Sequence, residues 1–250
     1  MKKYITILIV IFLIIVAVNE PVLAGAGGSI AKAITKSFWG KLVIAAITII
    51  FLPLILYMYI TEYIAVRRTQ KDLRFLAQKF KAFDWISLRQ RIQDVFMRVQ
   101  AGWDKGDVSE VNEWMDDWYW QNQQYVYLDR WSNEGLKNIT KIQKINSIRP
   151  IYVSYSGEAD AQNSRLVVLI DAEMQDYLVR ITDSIVVEGD REFKSVEKVW
   201  TFVFINNKWV VQNIEDTAMS RIYIKEANVV LNGNFEPSIN EQTRGIHQKT

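Results

Sequence analysis

Asp171 and Glu173 stand two residues apart in a run, Leu166 to Met174, whose even positions are all apolar. Carboxylates on a strand, with Tyr127, Tyr152, Tyr155 and Tyr177 as donors elsewhere, are the parts of an acid–base site. Such a site works because burial among aromatics raises a carboxyl pKa toward neutrality. Spacing alone pairs no acid with a donor here. The sole histidine, His247, lies three residues from the C-terminal Thr250, and there is no cysteine. Histidine bases, thiolate nucleophiles, multi-histidine metal sites and disulfides are therefore set aside. A second acidic group, Asp104, Asp107, Glu110, Glu113, Asp116 and Asp117, is dense but lacks calcium-loop spacing. It reads as the solvated face of a helix. No catalytic residue, metal or cofactor is expected.

Aromatic residues are the stronger signal. Eight of the nine tryptophans fall between Trp85 and Trp209, and Trp103, Trp114, Trp118, Tyr119 and Trp120 crowd one stretch. Trp200 and Trp209 lie in a later, β-like segment. Large aromatics dominate core burial, so core filling is one reading. The other is a partly open apolar cavity or patch for a peptide or acyl chain. If the first stretch is one helix, Trp114 and Trp118 share a face with Met115, and Trp120 points elsewhere as the surface residue.

The elements that must carry these residues emerge from periodicity. Leu88, Ile92, Val95, Phe96, Val99 and Trp103 form one helical stripe, which Gly102 and Gly106 are expected to end. Asp107-Val-Ser-Glu110 reads as a capping box, opening a helix that fades near Gln121–Gln124. After Ile139 the period becomes that of strands, at 166–170, 178–181, 199–205 and 209–214. Asn206-Asn207-Lys208 predicts a tight hairpin turn. The inward phase passes from even positions at Leu166–Met174 to odd ones at Val179 and Ile181, which predicts a bulge. The fold class is α+β: helices packed on a bent antiparallel sheet.

Two apolar runs precede this. Residues 1–24 carry Lys2-Lys3, an apolar stretch and an Ala-ended site, the pattern of a signal peptide; an uncleaved first membrane helix is the other reading. After a short exposed link, 25–41, the run Leu42–Ile60 has no charge and predicts a transmembrane helix. Pro53 within it is tolerated in membrane helices. Residues 61–85 form a basic juxtamembrane linker holding Arg67, Arg68, Lys71, Arg74, Lys79 and Lys81. Leu73, Leu76, Ala77 and Phe80 recur there at helical spacing, so the segment is either an amphipathic helix on an anionic inner leaflet or a plain helical link. Basic residues after the span place the C-terminal domain in the cytoplasm, at the bacterial inner membrane. Net charge is only +2, which argues against a nucleic-acid partner.

The stretch "RVQAGWDKGDVSEVNEWM" and the later "VEKVWTFVFINNKWVVQNIE" resemble the Tim44-like domain family over residues 86–216, leaving 217–250 as a C-terminal helix or tail. The resemblance implies the nuclear transport factor two-like cone, helices packed on a curved sheet. It also implies a binding or scaffold role at a membrane, with lipid or an unidentified protein as partner. The mitochondrial member's long charged coiled-coil arm is missing, so motor tethering does not carry over. Two alternatives stay open: a secretion-system inner-membrane scaffold with a periplasmic cone domain, and a cone-fold isomerase or dehydratase-like enzyme.

Overall fold

The computed structural model describes residues 38–230, so the expected signal peptide lies outside the described residues. The chain divides into two compact units that meet between Thr61 and Glu62. Helix α1, Phe38–Ala77, carries the uncharged run with Pro53 inside it. Along that run Leu42, Val43, Ile47, Ile50, Phe51 and Ile60 are exposed, as are Trp39, Tyr57 and Tyr59. Among the described residues this is the one helix long and apolar enough to cross a membrane, by length and composition. Exposed apolar side chains along one helix are what a lipid-facing span requires.

The second unit is an α+β domain. Four antiparallel strands lie in the order β1 (Leu136–Ser154), β2 (Arg165–Arg180), β3 (Val186–Ile205), β4 (Lys208–Asp216). Helices α2 (Trp85–Lys105), α3 (Asp117–Asn122) and α4 (Asp129–Asn133) pack against the sheet, and α5 (Ser220–Lys225) comes after it. The β3–β4 turn is the expected hairpin: Ile205 pairs with Lys208, and Asn206 and Asn207 both have positive φ, at 50° and 60°. That is the two-residue geometry whose twist matches the flanking strands.

Bulges occur where the phase argument put them, but not in the strand expected. Strand β2 keeps its even residues inward through Leu178, which is buried, while Ile181 is exposed. The extra residues sit in its neighbours. Strand β1 shifts register at Ile142/Lys144, Ile145/Ser147 and Pro150/Tyr152. Opposite Met174/Asp176, β3 skips from Lys194 to Asp190. Extra residues on the flanking strands bend the sheet around β2. Gly189 sits in this region with φ +75°, and a Cβ there would lie 2.6 Å from the Asp176 carbonyl oxygen.

Helix α2 buries Leu88, Ile92, Val95, Phe96 and Val99, the expected stripe. It opens on Asp84, which accepts from the Ser87 amide at 3.0 Å and the Ser87 hydroxyl at 2.7 Å. It ends at Gly106 (φ 82°) alone. Gly102 stays helical, and its lack of a side chain lets the next segment pass close by; a Cβ there would meet Val111 Cγ2 at 2.9 Å. The capping box closes by half. Asp107 accepts from the Ser109 amide at 2.8 Å, but Glu110 turns to Lys105 instead. The segment Ser109–Trp114 is accordingly a 3-10 turn rather than the expected α-helix.

The linker region is also reassigned. Leu73 and Leu76, on α1, are fully buried in the domain core alongside Phe83. The apolar face that would have lain on lipid is thus occupied by protein. A C-terminal segment ties the same helix down. Arg68 donates to the Glu226 carbonyl at 2.5 Å, and the Asn228 amide donates to Thr69 at 3.2 Å and to Asp72 at 2.7 Å. Asn228 also accepts from the Val153 amide at 3.1 Å, and Val229 bridges to Ser154 beside the β1 edge.

Candidate functional site

From α2, Phe96, Gln100 and Trp103 face the sheet at i, i+4 and i+7, one side of an α-helix. The second helical wall runs Tyr119, Gln123, Tyr127, Trp131, every fourth residue. On a plain α-helix that spacing drifts by about 40° per step, or roughly 120° over three. Here the chain passes from α3 through a π-turn, Gln123–Leu128, into α4. The wider i→i+5 turn takes up the drift and keeps all four side chains on one face.

The sheet supplies the floor. Inward positions of β2 give Ile170, Met174 and Asp176; β1 gives Asn138 and Thr140; β3 gives Lys198 and Trp200. Together these enclose a cavity of about 280 Å³. It is apolar for most of its surface, with a few polar groups in its lining, the usual composition of a ligand site. Trp200 stacks near Phe202 at 6.3 Å and against Phe96 at 5.2 Å, so it is both wall and core.

Asp176 is the unusual member. Its side chain keeps contact with solvent, yet the protein packed near it desolvates the carboxyl enough to push it above the ordinary carboxylate range. Hydrogen bonding from Asn138 and the Lys198 charge pull it partly back, while Glu188 adds to the rise. Lys198 itself is paired with Asp216. Tyr119 is buried, which drives its phenol upward, and its oxygen is engaged by the Ile214 backbone.

The acids first considered lie elsewhere. Asp171 accepts from the Ser195 hydroxyl at 2.6 Å, and Glu173 pairs with Lys144 at 3.0 Å; neither lines the cavity. Along the acidic stretch several carboxylates have structural tasks. Asp104 accepts from the Thr140 amide at 2.9 Å, and Glu113 faces Lys208 at 3.6 Å.

The aromatic candidates divide three ways. Trp103, Tyr119 and Trp200 line the cavity. Trp209 is buried outside it, donating its indole N–H to the Ala82 carbonyl at 2.8 Å. Trp114, Trp118 and Trp120 do not line it, and the expected Trp114–Trp118 face does not form. The chain leaves helical geometry at Met115 and Asp116, where Met115 bridges to Val211 beside β4. Trp114 then lies under two guanidinium groups, Arg91 at 3.6 Å and Arg98 at 4.4 Å. Trp118 is the surface residue, 70% exposed, and Trp120 is half-buried near Asp117. Of the basic cluster, Arg68 is committed to backbone carbonyls, whereas Arg67, Lys71, Arg74, Lys79 and Lys81 are exposed. Sequence reasoning missed Asp176, Asn138, Thr140, Lys198 and Trp131 as cavity residues. The four-residue repeat from Tyr119 to Trp131 was the signal that could have found the last.

A bent antiparallel sheet roofed by helices around an aromatic cavity defines a cone-type α+β domain. The chain belongs to the Tim44-like domain family, whose model matches residues 69–215. Among solved structures, the intermembrane space region of the chloroplast protein ARC6 matches with a TM-score of 0.36 and 7% identity, covering 50% of this chain and 93% of that one. No curated protein sequence matches it.

Proposed function

We propose that this protein is a membrane-anchored binding module, a Tim44-like domain held at the bacterial inner membrane to engage a protein partner. The observation that carries this reading is that one helix, α1, holds both an exposed, uncharged run and the core residues Leu73 and Leu76 of the domain. Anchor and domain are thus parts of one element. The domain offers exposed apolar side chains suited to a partner, Trp118 and Tyr125 among them. Arg67, Lys71, Arg74, Lys79 and Lys81 form a basic margin that attracts an anionic leaflet at roughly 1 kcal/mol per residue near the surface. The lipid role therefore rests on these charges rather than on a buried apolar face.

The basic residues after the span support a cytoplasmic domain under the positive-inside rule. A reporter fused after Thr250 tests this: β-galactosidase activity is expected, and alkaline phosphatase activity would instead favour a periplasmic scaffold. Crosslinking in intact membranes, with recovery of partners from wild type and Trp118→Ala, tests the binding role. One partner lost selectively in the variant supports it; an unchanged partner set removes Trp118 from the surface.

A cone-fold enzyme keeps one observation in its favour, the raised carboxyl of Asp176 inside an aromatic cavity. Against it, no hydrogen bond among the described residues joins Asp176 to a tyrosine hydroxyl. Without a paired donor the site is better suited to holding a ligand than to moving its protons.

A further inference from the structure

Three aromatic rings on the helical side of the cavity form a nearly equilateral triangle. The Trp103–Tyr127 centroids are 6.2 Å apart, and Trp131 lies 5.9 Å from each. The rings are mutually tilted by 48° to 59°, so none stacks flat on another. A group seated over the centre of such a triangle is within about 6 Å of all three centroids, the range in which a cation is attracted by ring quadrupoles. The same cavity contains a carboxylate, Asp176, that takes part in none of the ion pairs among the described residues. Lys198, the basic side chain beside it, is already held by Asp216.

These features do not suit a purely apolar guest. An acyl chain would cover Asp176, Asn138 and Thr140 with hydrocarbon, and taking a solvent-exposed carboxylate out of water is costly without a counter-charge. An anionic guest would be repelled by it. A cation with alkyl substituents satisfies both halves of the cavity, the rings and the acid. We propose that the cavity of this domain is a binding site for an alkylammonium group, received by Trp103, Tyr127 and Trp131 and neutralised by Asp176. Asn138 and Thr140, whose side chains hydrogen-bond to each other at 2.9 Å, stand beside the acid to take a hydroxyl or amide on the guest. The raised carboxyl pKa agrees with this, since a bound cation would supply a charge partner to the acid.

The site goes beyond the protein-binding reading and stands without it. An alkylammonium group can arrive as a soluble amine or as the headgroup of a phospholipid, and the test separates the two. Full-length protein in detergent is titrated with choline, with ethanolamine and with 3,3-dimethyl-1-butanol, the neutral isostere of choline, while tryptophan fluorescence is monitored. Both cations are expected to bind at least tenfold more tightly than the neutral isostere. Asp176→Asn is expected to weaken cation binding at least tenfold. Lys198→Gln, which removes a positive charge from the cavity, is expected to strengthen it several-fold. Urea unfolding of each variant confirms that the domain is folded. Equal affinity for choline and its neutral isostere would overturn the proposal. So would unchanged choline affinity in both folded variants, because a merely apolar cavity is indifferent to either charge. In vesicles of phosphatidylglycerol, added phosphatidylethanolamine that competes with choline identifies a headgroup site. Choline binding unaffected by that lipid identifies a soluble amine, and either result supports the ammonium assignment.

Discussion

The guanidinium of Arg149 on β1 meets the carboxylate of Glu62 on α1 at 2.8 Å, and its other nitrogen meets Glu197 on β3. All three side chains are only about a quarter to a third exposed, and burial holds the Glu197 carboxyl above its usual range despite the arginine beside it. One cation therefore serves two acids, one on α1 and one on β3.

Replacing that cation leaves two half-buried carboxylates facing each other. Arg149→Leu is expected to lower stability by about 1–3 kcal/mol, below the figure for fully buried pairs because water screens part of the site. Adding Glu62→Gln is expected to recover part of the loss. Urea unfolding monitored by tryptophan fluorescence reads both, and an unmoved midpoint in the single variant would deny the junction any weight.

Asn228 is the hub of the C-terminal strap. Asn228→Ala removes its bonds to Thr69, Asp72 and Val153, and the loss is expected to total about 1–3 kcal/mol. Hydrogen exchange gives a sharper reading than global stability. The amides of Val153 and Tyr155 are expected to exchange faster, with those of the β3–β4 hairpin unchanged. Uniform acceleration across the domain would show that the strap is not a separate unit.

Two tryptophans that look alike in the sequence are expected to behave oppositely. Trp200→Ala, at 1% exposure, should cost about 3–5 kcal/mol. Trp118→Ala, at 70% exposure, should change stability by no more than about 0.5 kcal/mol. Thermal melts of the two variants side by side decide the matter, and an early melt in Trp118→Ala would place that residue in a packed interface.

The raised carboxyl of Asp176 fixes the sign of a pH effect. Its folded pKa exceeds the unfolded one, so the folded state holds the proton more tightly. Its contribution is therefore favourable at low pH and is lost as pH rises from the ordinary carboxylate range through the raised value. Asn138, Lys198 and Glu188 are the groups that modulate it. Asp176→Asn is expected to stabilise the ligand-free domain at pH 7 and to flatten the decline that begins in the ordinary carboxylate range. A variant less stable than wild type at pH 7 would mean that the ionised acid has a partner in the fold.

What could be read from residue order was whatever one element decides alone. The α2 stripe and the Asn206–Asn207 turn are local, and both appear as expected. Strand β1 was obscure because its extra residues each flip the alternation, so a period of two never persists for long. The first half of β3, from Val186, is exposed on both faces and shows no apolar phase at all. Asp176 broke an apolar series and so looked like its end, when it is the polar member of the inward face. The tryptophan stretch misled because helical spacing was assumed across Met115 and Asp116, where bridging to β4 interrupts the helix. Tertiary contacts decide such breaks, and residue spacing does not record them.

The strap also sets a timetable. Arg68 and the Glu226 carbonyl that receives it are 158 residues apart in the chain. At about 5–20 residues per second, synthesis takes roughly 8–30 s to deliver the second after the first. Through that interval α1 has emerged from the ribosome, but its polar side chains Arg68, Thr69 and Asp72 have no receptor. The far end of α1 is thus made long before the segment that ties it down. A chain ending before Asn228 lacks this latch, and closing so long a loop carries an entropic cost of its own.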